Sequence, residues 1–231
     1  MKCVACALLL AACASDTDSF PIQPGGGSAA TGGTQQPEPT MTVLRGRVCV
    51  VDDIIARNCA ITGAGNLTVT LGDQSVVTAD NGTFTMVPGF GTGLSFTVSG
   101  ANIVTTSQAL TPQLVIPVLR QQAFDNLLTA NGITTLAGTG SIFATLVRGG
   151  QPVSGATATS TPSPAFGPFF DTTQPAPWSL NATGASGIVF FPGVVAGPAD
   201  LSFNTLTGGS AIVGGVQVIN GGITMVETIL P

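Results

Sequence analysis

Few side chains in this 231-residue chain could carry chemistry, and two kinds are missing: there is no His and no Tyr. The only lysine is Lys2. A histidine base, nucleophile or metal ligand is therefore excluded within the chain, and catalysis would rest on its 11 carboxylates. Asp52 and Asp53 are adjacent, so their side chains leave a strand on opposite faces. An acid/base pair needs both groups converging on one substrate, and these two read as part of a solvated loop. Asp73 and Asp80 flank a short strand beside Asn81. Two Asp and one Asn are a thin ligand set for calcium, and Asx turn formation explains them better. Ser and Thr are abundant but lack a candidate base. Neither Gly91-x-Gly93 nor Gly208-Gly209 opens a helix with a phosphate-binding pattern. The expectation is a protein without catalytic residues, metal or cofactor.

Charge narrows the partners. The formal net charge is −5. The arginines, Arg45, Arg47, Arg57, Arg120 and Arg148, form no stripe, which disfavours nucleic acid and a polybasic lipid-binding patch.

The first residues carry the most specific motif. Met1-Lys2 is a minimal positive start, and Cys3 to Ala12 is an apolar run too short to span a bilayer. It ends in Leu10-Ala11-Ala12-Cys13, which resembles the lipobox of bacterial lipoproteins. That resemblance implies a signal peptide over 1–12, cleavage before Cys13 and diacylglycerylation of its thiol. An ordinary secretory signal cut near Ala14-Ser15 is the alternative. Ala14 after Cys13 offers no acidic retention signal, so the family analogy implies an outer-membrane anchor. Cys3 and Cys6 would leave with the signal, and lipid would consume Cys13. Of the five cysteines, Cys49 and Cys59 then remain as one pair, which an exported compartment would oxidise to a disulfide.

The elements that would position any site begin after a composition break. Within 13–40, the residues after Cys13 are Gly-, Pro- and Ser-rich without periodicity, and read as a disordered tether reaching about 30 Å. From Met41 the period becomes two. Leu44, Gly46, Val48 and Val50 alternate with Arg45, Arg47 and Cys49. Similar runs occur at Leu67–Leu71, Thr83–Met86 and Leu94–Ser99, with a hairpin signal at Asn81-Gly82. Short strands at this spacing predict an antiparallel sandwich over 41–116. A second, diverged sandwich is expected over 138–231, because features recur in order. Gly46-Arg47-Val48 has a counterpart in Gly140-Ser141-Ile142, Gly65-Asn66-Leu67 in Gly155-Ala156-Thr157, and Leu94-Ser95-Phe96 in Leu201-Ser202-Phe203. Between them, residues 117–137 read as a linker with one amphipathic helix, Pro117 in its first turn and Asn131-Gly132 at its end.

Gly46-x-Val48, Gly65-Asn66-Leu67-x-Val69-x-Leu71, Thr78-x-Asp80-x-Gly82-x-Phe84-x-Met86 and Pro88-Gly89 together resemble the carboxypeptidase regulatory-like domain, also called prealbumin- or transthyretin-like. The second copy keeps Gly187-x-Val189-x-Phe191-Pro192-Gly193 but has Ala185 in place of the Asp. The resemblance implies all-β architecture: two seven-stranded-type sandwiches joined by one short helix, used as accessory, adhesive or scaffold modules. Relatives that hydrolyse purine breakdown products need His and Tyr, absent here. Relatives locked by Lys–Asn isopeptide bonds need a lysine that the mature chain would lack.

One segment departs from the repeat. Ser160–Leu180 holds the only Trp, three Phe and five Pro. Aromatic loops serve binding, so Phe166, Phe169, Phe170 and Trp178 are candidate partner-binding residues. The competing expectation is that these rings cover a core edge. The function expected is a non-catalytic envelope lipoprotein that binds or scaffolds another envelope protein or a polysaccharide. The alternatives are a transthyretin-like small-ligand carrier and a carboxylate-dependent hydrolase.

Overall fold

The computed structural model describes residues 43–56, 58–60, 64–88, 95–109, 111, 114–172, 178–206 and 208–231. The signal peptide, Cys13 and the tether lie outside the described residues. Residues Met41–Pro231 cluster as one compact unit.

The strands are short runs whose side chains alternate between core and water. The first half carries β1 (Leu44–Val51), β2 (Thr68–Leu71), β3 (Gln74–Val77), β4 (Thr83–Met86), β5 (Ser95–Ser99), β6 (Thr106–Ala109) and β7 (Val115–Leu119). Helix α1 (Gln121–Ala130) follows. The second half carries β8 (Thr139–Arg148), β9 (Gln151–Pro152), β10 (Ala156–Thr161), β11 (Phe169–Phe170) and β12 (Ile188–Val195). It ends with β13 (Gly197–Thr205), β14 (Ser210–Val218) and β15 (Ile223–Ile229). The protein is therefore all-β with one short helix, as expected.

Each half places two sheets face to face. In the first, β4-β1-β7 faces the run β3-β2-β5-β6; in the second, β11-β12-β8-β15 faces β10-β13-β14. Val48, Val69, Phe84, Phe96 and Val98 fill the first sandwich, and Leu146, Phe170, Val189, Leu201 and Phe203 fill the second.

The pairing corrects two expectations. The sheets are not purely antiparallel: β1 runs parallel to β7, and β15 runs parallel to β8 and β6. The halves are also joined by more than a linker. Because β15 pairs β6, the run β3-β2-β5-β6 of the first half continues into β15-β8-β12-β11 of the second, making one nine-stranded sheet with β9.

Pro117 is in strand β7, opposite Cys49 of β1, and not in a helical turn. Ile116, Val118 and Leu119 are buried beside it. β7 is an edge strand, where proline's missing N–H is tolerated. Arg120 is still extended, and α1 starts only at Gln121. The Asp80-Asn81-Gly82 turn is present, but β3 pairs β2 while β4 pairs β1. It thus carries the chain from one sheet to the other and does not close a two-stranded hairpin. Gly82 has φ +83°, and a Cβ there would meet the Val48 carbonyl.

The internal repeat is visible in the hydrogen bonds. The Val48 N–H donates to the Gly82 carbonyl at 2.8 Å, and the Leu146 N–H donates to the Gly187 carbonyl at 2.8 Å. Thr78 Oγ1 donates to the Ala64 carbonyl at 2.6 Å and accepts the Leu67 N–H at 3.0 Å. Thr183 Oγ1 does the same with the Val153 carbonyl at 2.8 Å and the Ala156 N–H at 2.9 Å. The parallel pairs β1–β7 and β8–β15 also correspond, Val48 opposite Ile116 and Leu146 opposite Thr228. These bonds shift the register read from sequence. Val48 matches Leu146, not Ile142, and Asn66 matches Gly155, both at positive φ.

Candidate functional site

A third core lies between the halves. It takes Cys49 and Val51 from the outer face of β1, Phe143 from β8, Ile188 and Phe190 from β12, and Ile223 and Met225 from β15. Helix α1 covers it with Phe124 and Leu128. The aromatic segment of the second half packs here. Phe166, Phe169 and Trp178 are partly buried against this core, while Phe170 turns the other way into the second sandwich and is only 2% exposed.

The rings make a connected set. Phe143 stacks on Phe190 with centroids 4.4 Å apart and planes within 6°. Trp178 meets Phe190 edge-on at 5.8 Å and Phe143 at 6.0 Å. Phe169 approaches Phe190 at 6.3 Å and Phe124 of the helix approaches it at 6.4 Å. The Trp178 backbone N–H donates to Asn131 Oδ1 at 3.1 Å, tying the loop to the helix C-terminus. The rings named as candidate partner-binding residues thus all pack on cores of this chain, Phe170 fully and Phe166, Phe169 and Trp178 in part. Aromatic rings this large gain more from a neighbouring apolar surface than from water, and the junction supplies one.

The segment is closed by a pair of backbone bonds. Phe170 and Ser179 each donate to the other's carbonyl at 2.7 Å. Inside that closure sits Asp171, a carboxylate only 1% exposed. Its Oδ1 accepts the Gly184 N–H at 3.0 Å and the Ile188 N–H at 2.8 Å, and its Oδ2 accepts the Ser186 N–H at 2.7 Å. It therefore holds the turn that feeds β12 into two cores. The rings around Asp171 stand out in the sequence, and the acid does not. A lone Asp after two Phe in a proline-rich loop gives no periodic signal.

Five of the other carboxylates are engaged locally. Asp52 pairs with Arg120, Oδ1 to Nε at 2.7 Å. Asp53 Oδ1 accepts the Ile55 N–H at 2.8 Å. The adjacent pair thus serves two different partners. Asp73 Oδ1 accepts from Gln74, Asp125 Oδ1 accepts from Gln121 at 2.9 Å, and Asp200 Oδ1 accepts the Gly215 N–H at 2.9 Å. Asn81 Oδ1 accepts from the Thr83 N–H at 3.1 Å and its hydroxyl at 2.7 Å, an Asx turn. Among the described residues no three metal-type side chains come together.

Cys49 and Cys59 form the disulfide expected of them, with Cα atoms 5.0 Å apart. Cys49 is buried in the junction core and Cys59 bridges to Val51. The bond closes the excursion that carries Asp52 and Asp53. Two cavities lie against α1. One, of about 60 Å³, is lined by Phe124, Leu128, Ile133 and Leu136 with backbone from Gly140 and Gly193. The other, of about 280 Å³, is an open polar cleft lined by Asp52, Arg120, Gln122, Ala123 and Asn126. No described helix is long and apolar enough to cross a membrane.

No family model matches the chain, and no curated protein matches it. Solved structures give low-scoring likenesses. The minor pilin of the gram-positive pathogen Streptococcus agalactiae is 12% identical over 81% of this chain and 94% of its own, with a TM-score of 0.29. The TIE protein of Bacillus anthracis is 12% identical over 81% of this chain and 33% of its own, with a TM-score of 0.24. The shaft pilin spaA of Lactobacillus rhamnosus GG, as a variant, is 8% identical over 84% of this chain and 98% of its own, with a TM-score of 0.23. At such scores these likenesses establish neither a shared topology nor a shared role.

Proposed function

We propose that the chain is a non-catalytic envelope lipoprotein, anchored through Cys13 in an outer membrane, whose double sandwich binds or scaffolds another envelope component. The observation that carries the non-catalytic reading is the employment of six of the acids. Asp171 holds a turn, Asp52 holds Arg120, and Asp53, Asp73, Asp125 and Asp200 each serve their own loop, helix or strand. A carboxylate committed to backbone N–H groups is a structural acceptor, and none of these pairs converges on a common cleft as acid/base chemistry requires.

The anchor rests on Leu10-Ala11-Ala12-Cys13. Two or more acyl chains on that cysteine would hold the protein firmly, at about 0.8 kcal/mol for each buried methylene. The body is built of two copies of one strand plan, consistent with the resemblance to the carboxypeptidase regulatory-like domain. Cys13→Ser is expected to abolish incorporation of labelled lipid and cleavage before residue 13. A Cys13→Ser protein that still matures and fractionates with membranes refutes the anchor.

A further inference from the structure

The polar cleft beside α1 takes its groups from two elements that the fold locks together. Asp52 lies on the excursion closed by Cys49–Cys59. That excursion is fixed at its base by the Val51–Cys59 bridge and by the Ala60 N–H donating to the Val50 carbonyl at 2.7 Å. Gln122, Ala123 and Asn126 lie on α1, whose underside is buried through Phe124 and Leu128. Gln122 and Asn126 are one helical turn apart and share a face. Arg120 closes the gap between the two elements through its 2.7 Å pair with Asp52. Gln121 and Asp125 satisfy each other at 2.9 Å. The side chains of Gln122 and Asn126, both exposed, have by contrast no hydrogen-bond partner among the described residues.

The chemistry of the lining selects a ligand class. The guanidinium and the carboxylate pair with each other. Beside that pair the cleft offers two carboxamides that donate and accept. Ala123, also in the lining, is partly buried against the junction core. Vicinal hydroxyls on a saturated ring, which donate and accept at close spacing, match that set. The cavity, about 280 Å³, is near the lower end of small-ligand sites.

We propose that the cleft formed by Asp52, Arg120, Gln122, Ala123 and Asn126 is a binding site for one neutral sugar ring of an envelope polysaccharide. This deepens the reading of the chain as a binding module and names the chemistry of one partner. It does not require the lipid anchor. The disulfide's role here is to hold Asp52 in place before the ligand arrives, which lowers the ordering cost of binding.

The test uses the full chain, solubilised in detergent, on columns of four immobilised neutral polysaccharides: galactan, dextran, mannan and chitin. The expected result is retardation on at least one column, reversed by the corresponding free sugar and insensitive to salt. Gln122→Ala with Asn126→Ala is expected to cut retention at least about tenfold, since two hydrogen-bonding groups are lost. Alanine favours the helix, so the double variant is expected to keep the wild-type melting temperature. A second variant, Asn126→Arg, puts a longer side chain into the cleft from the exposed face of α1 and is expected to block retention by occupying it. No retention on any column, retention unchanged in both variants, or retention abolished by salt overturns the proposal. Pulldown of an envelope protein by the same chain tests the scaffold reading separately. Capture that persists in the double variant would leave that reading standing when the sugar site fails.

Discussion

Replacing Asp171 is the perturbation with the most to say about how the second half is built. The carboxylate is 1% exposed and accepts three backbone N–H bonds at 2.7–3.0 Å. Hydrogen bonds to a charged group contribute about 1.5–3 kcal/mol each. Two of the three donors, Gly184 and Ser186, are half-buried, so water can reach them once the acceptor is gone. Each of those losses is about 1 kcal/mol. The third donor, Ile188, is fully buried and would be left with an unsatisfied N–H, at about 2–3 kcal/mol. Asp171→Ala is therefore expected to cost about 4–5 kcal/mol, a large share of the roughly 5–15 kcal/mol that holds a protein folded. Asp171→Asn keeps Oδ1 and its two bonds but turns an N–H₂ toward the Ser186 N–H, and is expected to cost about 2 kcal/mol. Urea unfolding followed by far-UV circular dichroism and tryptophan fluorescence reads both. Trp178 sits at the junction, so the two probes should report one transition with an unchanged denaturant slope. A loss below about 1 kcal/mol for Asp171→Ala would mean that the turn is held by its glycines and not by the acid.

Trp178→Ala is expected to lower stability by about 3 kcal/mol, the low end for a large ring because the indole is only partly buried. A melting temperature unchanged by that substitution would return the ring to the role of a surface anchor. Cys49→Ser removes the cross-link of a loop whose ends are 10 residues apart and is expected to cost about 3 kcal/mol, read by thermal melting with and without reductant. Thr78→Val and Thr183→Val remove the same two bonds in the two halves and are expected to cost about 2 kcal/mol each. A large cost at one and none at the other would argue against equivalent turns.

The strands were legible where one face is wet. Thr83–Met86 alternates exposed and buried, and so does Ala156–Thr161. Where both faces are buried the alternation fades. Val48, Cys49, Val50 and Val51 are all buried, because the end of β1 lies between the first sandwich and the junction core. Pro117 was misread for a related reason. With Val118 and Leu119 it forms a short apolar run, and periodicity alone does not separate a buried strand from the start of a helix. The disulfide was legible from parity and compartment, once Cys3, Cys6 and Cys13 are assigned to the signal and the lipid. The polar cleft was not, because Asp52 and Asn126 meet only through the fold.

The repeat shows why residue type is a poor guide to equivalence. Gly46 and Gly140 look alike in sequence, yet Gly46 opposes Phe84 in the first half, and the position opposing Val189 in the second is Ala144. Gly65 and Gly155 also look alike, yet the residue matching Gly155 is Asn66, which adopts the same positive φ at 60°. Asparagine tolerates that conformation better than other side chains, so a search for glycines slips by one residue. What persists between the halves is a set of obligations: a threonine hydroxyl that closes a turn, a glycine under a strand carbonyl, and a last strand that pairs parallel to the first. That last obligation leaves β15 one free edge, which β6 occupies. The same pairing plan that makes each half a closed unit therefore fuses them. An aromatic junction core then forms on the outer faces, which a single copy would expose to water.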